Sequence, residues 1–180
     1  MSGYIVGPRA DGGDNLAQVT EEGEVKVRIT NVVVIASRGQ CSKTTDGTIS
    51  IASQGAYVST GLTATLDSST AYGMSLGTTD TFGLKNVSGK TKLFRFYGSI
   101  DAADSNNATL GIKLAKNGVA IDETECRAFT GSNSEEAKLV TSWMISLDDD
   151  DEVSLMIANH DSSTDITFKR GRLVAAEVFA

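Results

Sequence analysis

The single histidine of this chain, His160, lies in the run Asn159-His160-Asp161-Ser162-Ser163. A base beside an acid and two hydroxyls has the composition from which hydrolases assemble a nucleophile and its activator. That chemistry needs the three groups to converge in space, and neighbours in one loop seldom reach the geometry. No GxSxG, HExxH or phosphate-loop pattern accompanies the histidine. His160 therefore reads as part of a polar surface loop, and no catalytic residue is expected.

The acidic run 148–152, Asp-Asp-Asp-Asp-Glu, is the second candidate. Calcium takes several oxygen ligands, but the spaced ligands, glycine and distal glutamate of an EF-hand are missing. A hydrated turn with mutually repelling charges is expected, with no metal and no cofactor. Convergence of several such turns on a symmetry axis would make a relieving cation more plausible. Cys41 and Cys126 show neither CxxC nor metal-ligand spacing and read as free thiols of a reducing compartment. Asn86-Val87-Ser88 and Asn107-Ala108-Thr109 match the glycosylation pattern. The first residues show no basic-then-apolar leader, so these matches read as coincidence.

The elements that must position such groups are strands. In 139–158, Leu139, Thr141, Trp143, Ile145 and Leu147 fall on one face at period two, and Val153, Leu155 and Ile157 resume the alternation after the acids. Two half-buried strands joined as an antiparallel pair by a tight acidic loop are expected here. In 93–100, Phe94, Phe96, Gly98 and Ile100 share one face while Leu93, Arg95 and Tyr97 share the other. Leu110, Ile112 and Leu114 make the next strand. Asn117-Gly118 then signals a two-residue hairpin turn, with 119–129 returning. Residues 48–76 are rich in Ser, Thr and Gly and read as short edge strands, a helix over 62–72 being the disfavoured alternative.

The chain has 180 residues, 40% of them hydrophobic, with a single proline, enough for one good core and a small appendage. Its formal net charge of −7 argues against nucleic acid or an anionic membrane as the main partner. No apolar run approaches the ~20 residues of a membrane-spanning helix. Residues 1–24, with Tyr4, Ile5 and Val6 followed by Gly-Pro-Arg-Ala-Asp-Gly-Gly, read as an extended arm. Beyond them Val25, Val27 and Ile29 alternate with Lys26, Arg28 and Thr30.

From Phe82 onward about seven or eight strands follow one another, and their order carries a resemblance. An aromatic strand (93–100) precedes IKLAKNGVAI (112–121), a Trp-bearing strand, SLDDDDEVSLMIAN (146–159) and DITFKRGRLVAAEV (165–178). This order resembles the TNF/C1q-like jelly rolls of tailed-phage virion proteins, among them head-decoration (cement) proteins, head fibres and tail-associated fibres. Where that family often has a Gly-Asp turn before its Val-x-Leu strand, this chain has the acidic run.

The resemblance implies an all-β antiparallel jelly-roll sandwich, preceded by an extended N-terminal arm and short strands. Residues 1–47 would form the arm and first strands, and 48–180 the sandwich. It further implies a homotrimer packed through one sheet, with Tyr97, Trp143 and Phe179 as candidate contacts; each has the alternative of filling its own core. The expected role is a non-enzymatic cement protein on the outer capsid surface of a virion, assembled in the host cytoplasm. The arm residues Tyr4, Ile5, Val6, Arg9, Val25 and Val27 would then bind the major capsid protein, either by strand addition or in an apolar groove. The alternative for 25–35 is the first strands of the jelly roll. The alternative function is a receptor- or glycan-binding head or tail fibre, reading the host through loops such as 101–107 or 131–136. A cytokine-like ligand ranks third.

Overall fold

The computed structural model describes the backbone of residues 4–8, 14–19 and 25–27, and residues 36–178 apart from 70, 105–106 and 132–134. The chain divides into two compact units, Met1–Ile35 and Ala36–Ala180. In the first, β1 (Tyr4–Pro8), β2 (Asp14–Val19) and β3 (Val25–Val27) form an antiparallel meander with Ile5 opposite Ala17 and Ala17 opposite Val27. The segment read as an arm thus holds paired strands. Tyr4, Ile5 and Val6 lie on β1, and Val25 and Val27 on β3. Arg9 and residues 28–35 fall outside the described residues.

The second unit is a sandwich of two antiparallel sheets. It begins with β4 (Arg38–Lys43), β5 (Gly47–Ile49), β6 (Val58–Ser59), β7 (Thr65–Leu66), β8 (Met74–Leu76) and β9 (Gly83–Asn86). The long strands follow: β10 (Lys92–Ala103), β11 (Thr109–Lys116), β12 (Val119–Ala120), β13 (Cys126–Phe129), β14 (Ala137–Leu147), β15 (Glu152–Asn159) and β16 (Ile166–Glu177). One sheet runs β14-β10-β16-β4-β7 with β5 on β16. The other runs β12-β11-β15-β9-β8, with β13 on β11 and β6 on β15. This is the jelly-roll sandwich, its neighbouring strands joined across the two sheets. Among the described residues no helix is long and apolar enough to cross a membrane.

Three expectations are corrected. The boundary placed after residue 47 falls between Ile35 and Ala36, because β4 pairs along β16 and buries Cys41 opposite Leu173. The 139–147 and 153–157 strands do not pair with each other. β14 pairs with β10, and β15 with β11 and β9, so the acidic turn carries the chain from one sheet to the other. Alternation marks a strand and its buried face, and is silent about which strand lies beside it. The return strand after Asn117-Gly118 is also broken: β12 and β13 both pair with β11, with a 3-10 turn at Asp122–Thr124 between them.

The turn itself matches its residues. Asn117 and Gly118 have φ of 50° and 79°, the conformation a two-residue hairpin requires. The core is built from the inward parity of every long strand, with Phe94, Phe96, Ile100, Leu110, Ile112, Leu114, Leu139, Leu147, Leu155 and Phe168 wholly buried. Gly98 takes part by having no side chain. A Cβ there would stand 2.6 Å from Leu155 Cδ2, so the two sheets approach closely at that point.

Candidate functional site

The parity of β10 that does not enter the core stands on the outer face of its sheet. Its cross-strand rows are Met144–Arg95–Ala176–Arg38, Ser142–Tyr97–Val174–Gln40 and Val140–Ser99–Arg172–Ser42, reading from β14 through β10 and β16 to β4. Tyr97, Met144 and Val140 are 45%, 59% and 43% exposed, and Leu93 adds to them at the end of β10. These rows contain arginines and no carboxylate, on a chain whose net charge is −7. Leu93, Tyr97, Val140 and Met144 are thus exposed large hydrophobics set among serines, a glutamine and arginines on one sheet face, a combination suited to packing against another polypeptide.

Tyr97 is at the centre of this face. Trp143 is not: it lies opposite Phe96 in the register and so has the inward parity. It nevertheless remains 46% exposed, because β14 is the outermost strand of its sheet. Trp143 lines a cleft of about 280 Å³ with Arg95, Ser142 and Met144 at that edge. The two aromatic side chains therefore occupy an outer face and an adjoining edge. Phe179 lies outside the described residues.

His160 lies in the loop as expected but is only partly exposed. Its ring is 14% exposed and packs edge-on against Tyr57 with centroids 5.7 Å apart. Tyr57 OH donates to Glu125 Oε1 at 2.6 Å and lies 3.3 Å from His160 Nε2. Arg127 Nε donates to the same carboxylate oxygen at 2.6 Å, and Lys113 Nζ sits 4.2 Å above the Tyr57 ring. Burial and then the Arg127 charge hold the His160 pKa below its ordinary value. The loop neighbours that suggested a hydrolase turn elsewhere: Asp161 Oδ2 accepts the Thr109 N–H, and Ser162 Oγ accepts from Asn159 Nδ2. No nucleophile–base–acid arrangement is formed by that run.

Each acid of the 148–152 run has its own protein donor. Thr91 Oγ1 donates to Asp148 at 2.6 Å, the Gly89 N–H to Asp149 at 2.8 Å, and Lys85 pairs with Asp150 at 2.8 Å. Lys116 and Asn117 both reach Asp151 at 2.7 Å, and Glu152 is buried against backbone N–H groups. Repulsion is relieved by these contacts instead of by hydration alone. Among the described residues, no group of three or more His, Cys, Asp or Glu is placed to hold a metal ion.

No family model matches the chain, and no curated protein does. Solved structures do. Eiger TNF from S. frugiperda superposes with a TM-score of 0.57 at 12% identity, over 80% of this chain and 93% of that one. The sandwich has the TNF fold. Murine APRIL at pH 5.0 gives 0.48 at 10% identity, over 77% of this chain and 98% of that one. Rabbit GITRL gives 0.40 at 14%, over 79% and 96%. At these identities the likeness is one of fold.

The sandwich adds Val140 and Met144, which the reading of the sequence passed over, to the outer face on which that reading had already set Leu93 beside Tyr97. A signal was present. Val140 and Met144 are apolar on the parity opposite to Leu139 and Ile145, so β14 carries apolar residues on both faces.

Proposed function

We propose that this chain is a structural virion protein, a capsid decoration protein that associates as a homotrimer through the outer face of the β14-β10-β16-β4 sheet. The carrying observation is that face, with Tyr97, Val140, Met144 and Leu93 exposed together on a sandwich of the TNF fold. Closed association of three copies would remove this apolar area from water and shield the edge strand β14. The half-exposed Trp143 at that edge would meet the outer face of the next copy. No step of bond making or breaking is assigned to the protein.

Assignment to a virion rests on the sequence order that resembles phage head proteins, supported by the division at Ile35. A separate N-terminal unit is suited to holding the major capsid protein while the sandwich caps the lattice. Three such units per trimer would multiply weak contacts through effective concentration.

Light scattering on the purified chain tests the trimer, and co-sedimentation with cognate capsids tests the role, each with and without residues 1–35. A trimer that pellets with capsids only when the N-terminal unit is present is the expected result. A monomer refutes the assembly. A trimer indifferent to capsids refutes decoration and favours the fibre reading.

A further inference from the structure

On the outer face of the other sheet, β11 carries Gly111 and Lys113 on the parity opposite to the core residues Leu110, Ile112 and Leu114. Residues 52–57, between the buried Ile51 and β6, bring Tyr57 onto that face. We infer that this segment is a strap, latched to the sheet by the contact of Tyr57 with His160 and released when the imidazole takes a second proton. The device lies within one sandwich and rests on neither the trimer nor the virion role.

Both ends of the strap are fixed. The Ile51 N–H donates to Asp165 Oδ1 at 3.1 Å, and β6 pairs with β15 through Val58 and Ser59. Between these ends the His160 loop holds it: the Gly55 N–H donates to the Asn159 carbonyl at 2.7 Å, and Gln54 Nε2 to the His160 carbonyl at 2.8 Å. Tyr57 then reaches the sheet over Gly111, where a Cβ would collide with both its hydroxyl and His160 Nε2. The missing side chain of Gly111 is the seat that lets the two groups meet.

The latch depends on where protons sit. The Tyr57 hydroxyl gives its one proton to Glu125 Oε1 at 2.6 Å. Its oxygen is left to accept from His160 Nε2, 3.3 Å away, so the neutral ring carries its hydrogen on Nε2. A second proton goes to Nδ1, on the side of the ring that faces Gly55 of the strap. Around the resulting charge stand Glu125 and Arg127 of β13, Lys113 of β11 with its partner Asp122, and Asp161 of the same loop. Glu125 already accepts from Tyr57 and Arg127, and Asp161 from the Thr109 N–H. Burial of the ring and then the Arg127 charge oppose protonation and prevail over the two carboxylates, with Lys113 adding to the opposition. With the strap released, the ring returns to the ordinary histidine value of about 6.5. The latch is therefore at full strength above that value, weakens as pH falls below it, and is weakest below the lowered value of the latched state. Release uncovers Lys113, whose ammonium lies 4.2 Å from the centre of the Tyr57 ring.

Amide hydrogen exchange of the full chain at about pH 7 and about pH 5, corrected for intrinsic rates, tests the latch with the Gly55 N–H as reporter. Protection at Gly55 is expected to fall about threefold or more in acid, while that of Ile112, paired on both sides in its sheet, stays constant. The His160 ring should titrate by NMR with a midpoint below about 6.5. His160→Gln, which keeps an N–H donor for Tyr57, should abolish the acid response at Gly55. Arg127→Gln should raise the His160 midpoint and shrink the response, and it carries the test if His160→Gln fails to fold. Equal protection of Gly55 at both pH values overturns the latch. So does an acid response that persists undiminished in the folded variants.

Discussion

The Glu152 carboxylate accepts the backbone N–H of Thr78 at 2.7 Å, and around that bond it also accepts from Thr79 at 3.1 Å and Asp80 at 3.3 Å. A glutamate that is 5% exposed thereby ties the loop ahead of β9 to the first residue of β15. Burial alone would raise its pKa. The three backbone N–H groups favour the anion more strongly, and the net shift is downward.

Acid should therefore unfold the sandwich through this end. A lowered folded-state pKa means stability that is present above the ordinary carboxylate range and lost as pH falls through the folded value. Asp151 acts in the same direction, its pKa held at about 2 first by the Lys116 hydrogen bond and then by Asn117. Urea midpoints are expected to fall as pH drops from about 4 towards about 2. Glu152→Gln should lower stability at neutral pH by roughly 1–3 kcal/mol and flatten that acid slope. An unchanged slope in the variant would remove Glu152 from the account.

Gly98→Ala should destabilise the sandwich by about 1–3 kcal/mol, since the new methyl meets Leu155 Cδ2 at 2.6 Å. Leu155→Ala alone opens a cavity and also destabilises. Combined, the two should couple, the double variant being more stable than the sum of the singles implies. Denaturant titration of the four proteins measures that coupling, and strict additivity would contradict the close contact.

Tyr97→Glu places a charge at the centre of the outer face without touching the core. Circular dichroism should be unchanged and stability of the isolated sandwich altered by less than about 1 kcal/mol. With the trimer proposed above, light scattering should read three chains for the parent and one for Tyr97→Glu. Trp143→Ala, at the edge, should weaken association less than Tyr97→Glu does. Retention of the trimer by Tyr97→Glu would move the interface off this face.

The two thiols should differ sharply in reactivity. Burial, aided by the Asp80 charge, pushes the Cys41 pKa up to about 12, and the side chain is inaccessible. Cys126 is only half-buried. With iodoacetamide at pH 8, mass spectrometry should find Cys126 alkylated in the native protein and Cys41 only after unfolding. Equal labelling under native conditions would contradict the placement of β4 in the sandwich.

Much of the fold was legible because period-two alternation is a local property. Phe94, Phe96 and Ile100 declared the buried face of β10, and Asn117-Gly118 declared the turn between β11 and β12 through the positive φ both residues adopt. The candidate interface was half legible. Tyr97 was found by parity, whereas Met144 and Val140 were hidden in a strand whose other face suggested an ordinary core.

By itself, the sequence determined that the long segments 93–100, 110–114, 139–147 and 153–157 are strands and which of their faces leaves water, whereas β4 lies in a stretch that it read as a loop. Tertiary structure alone decided that β14 and β15 lie in different sheets, that Trp143 ends at an edge, and that Glu152 is met by three backbone donors. The reason is physical. Alternation and turn chemistry act between near neighbours in the chain, whereas strand partners, edges and buried hydrogen bonds join residues far apart in it. Only the closed sandwich brings those residues together.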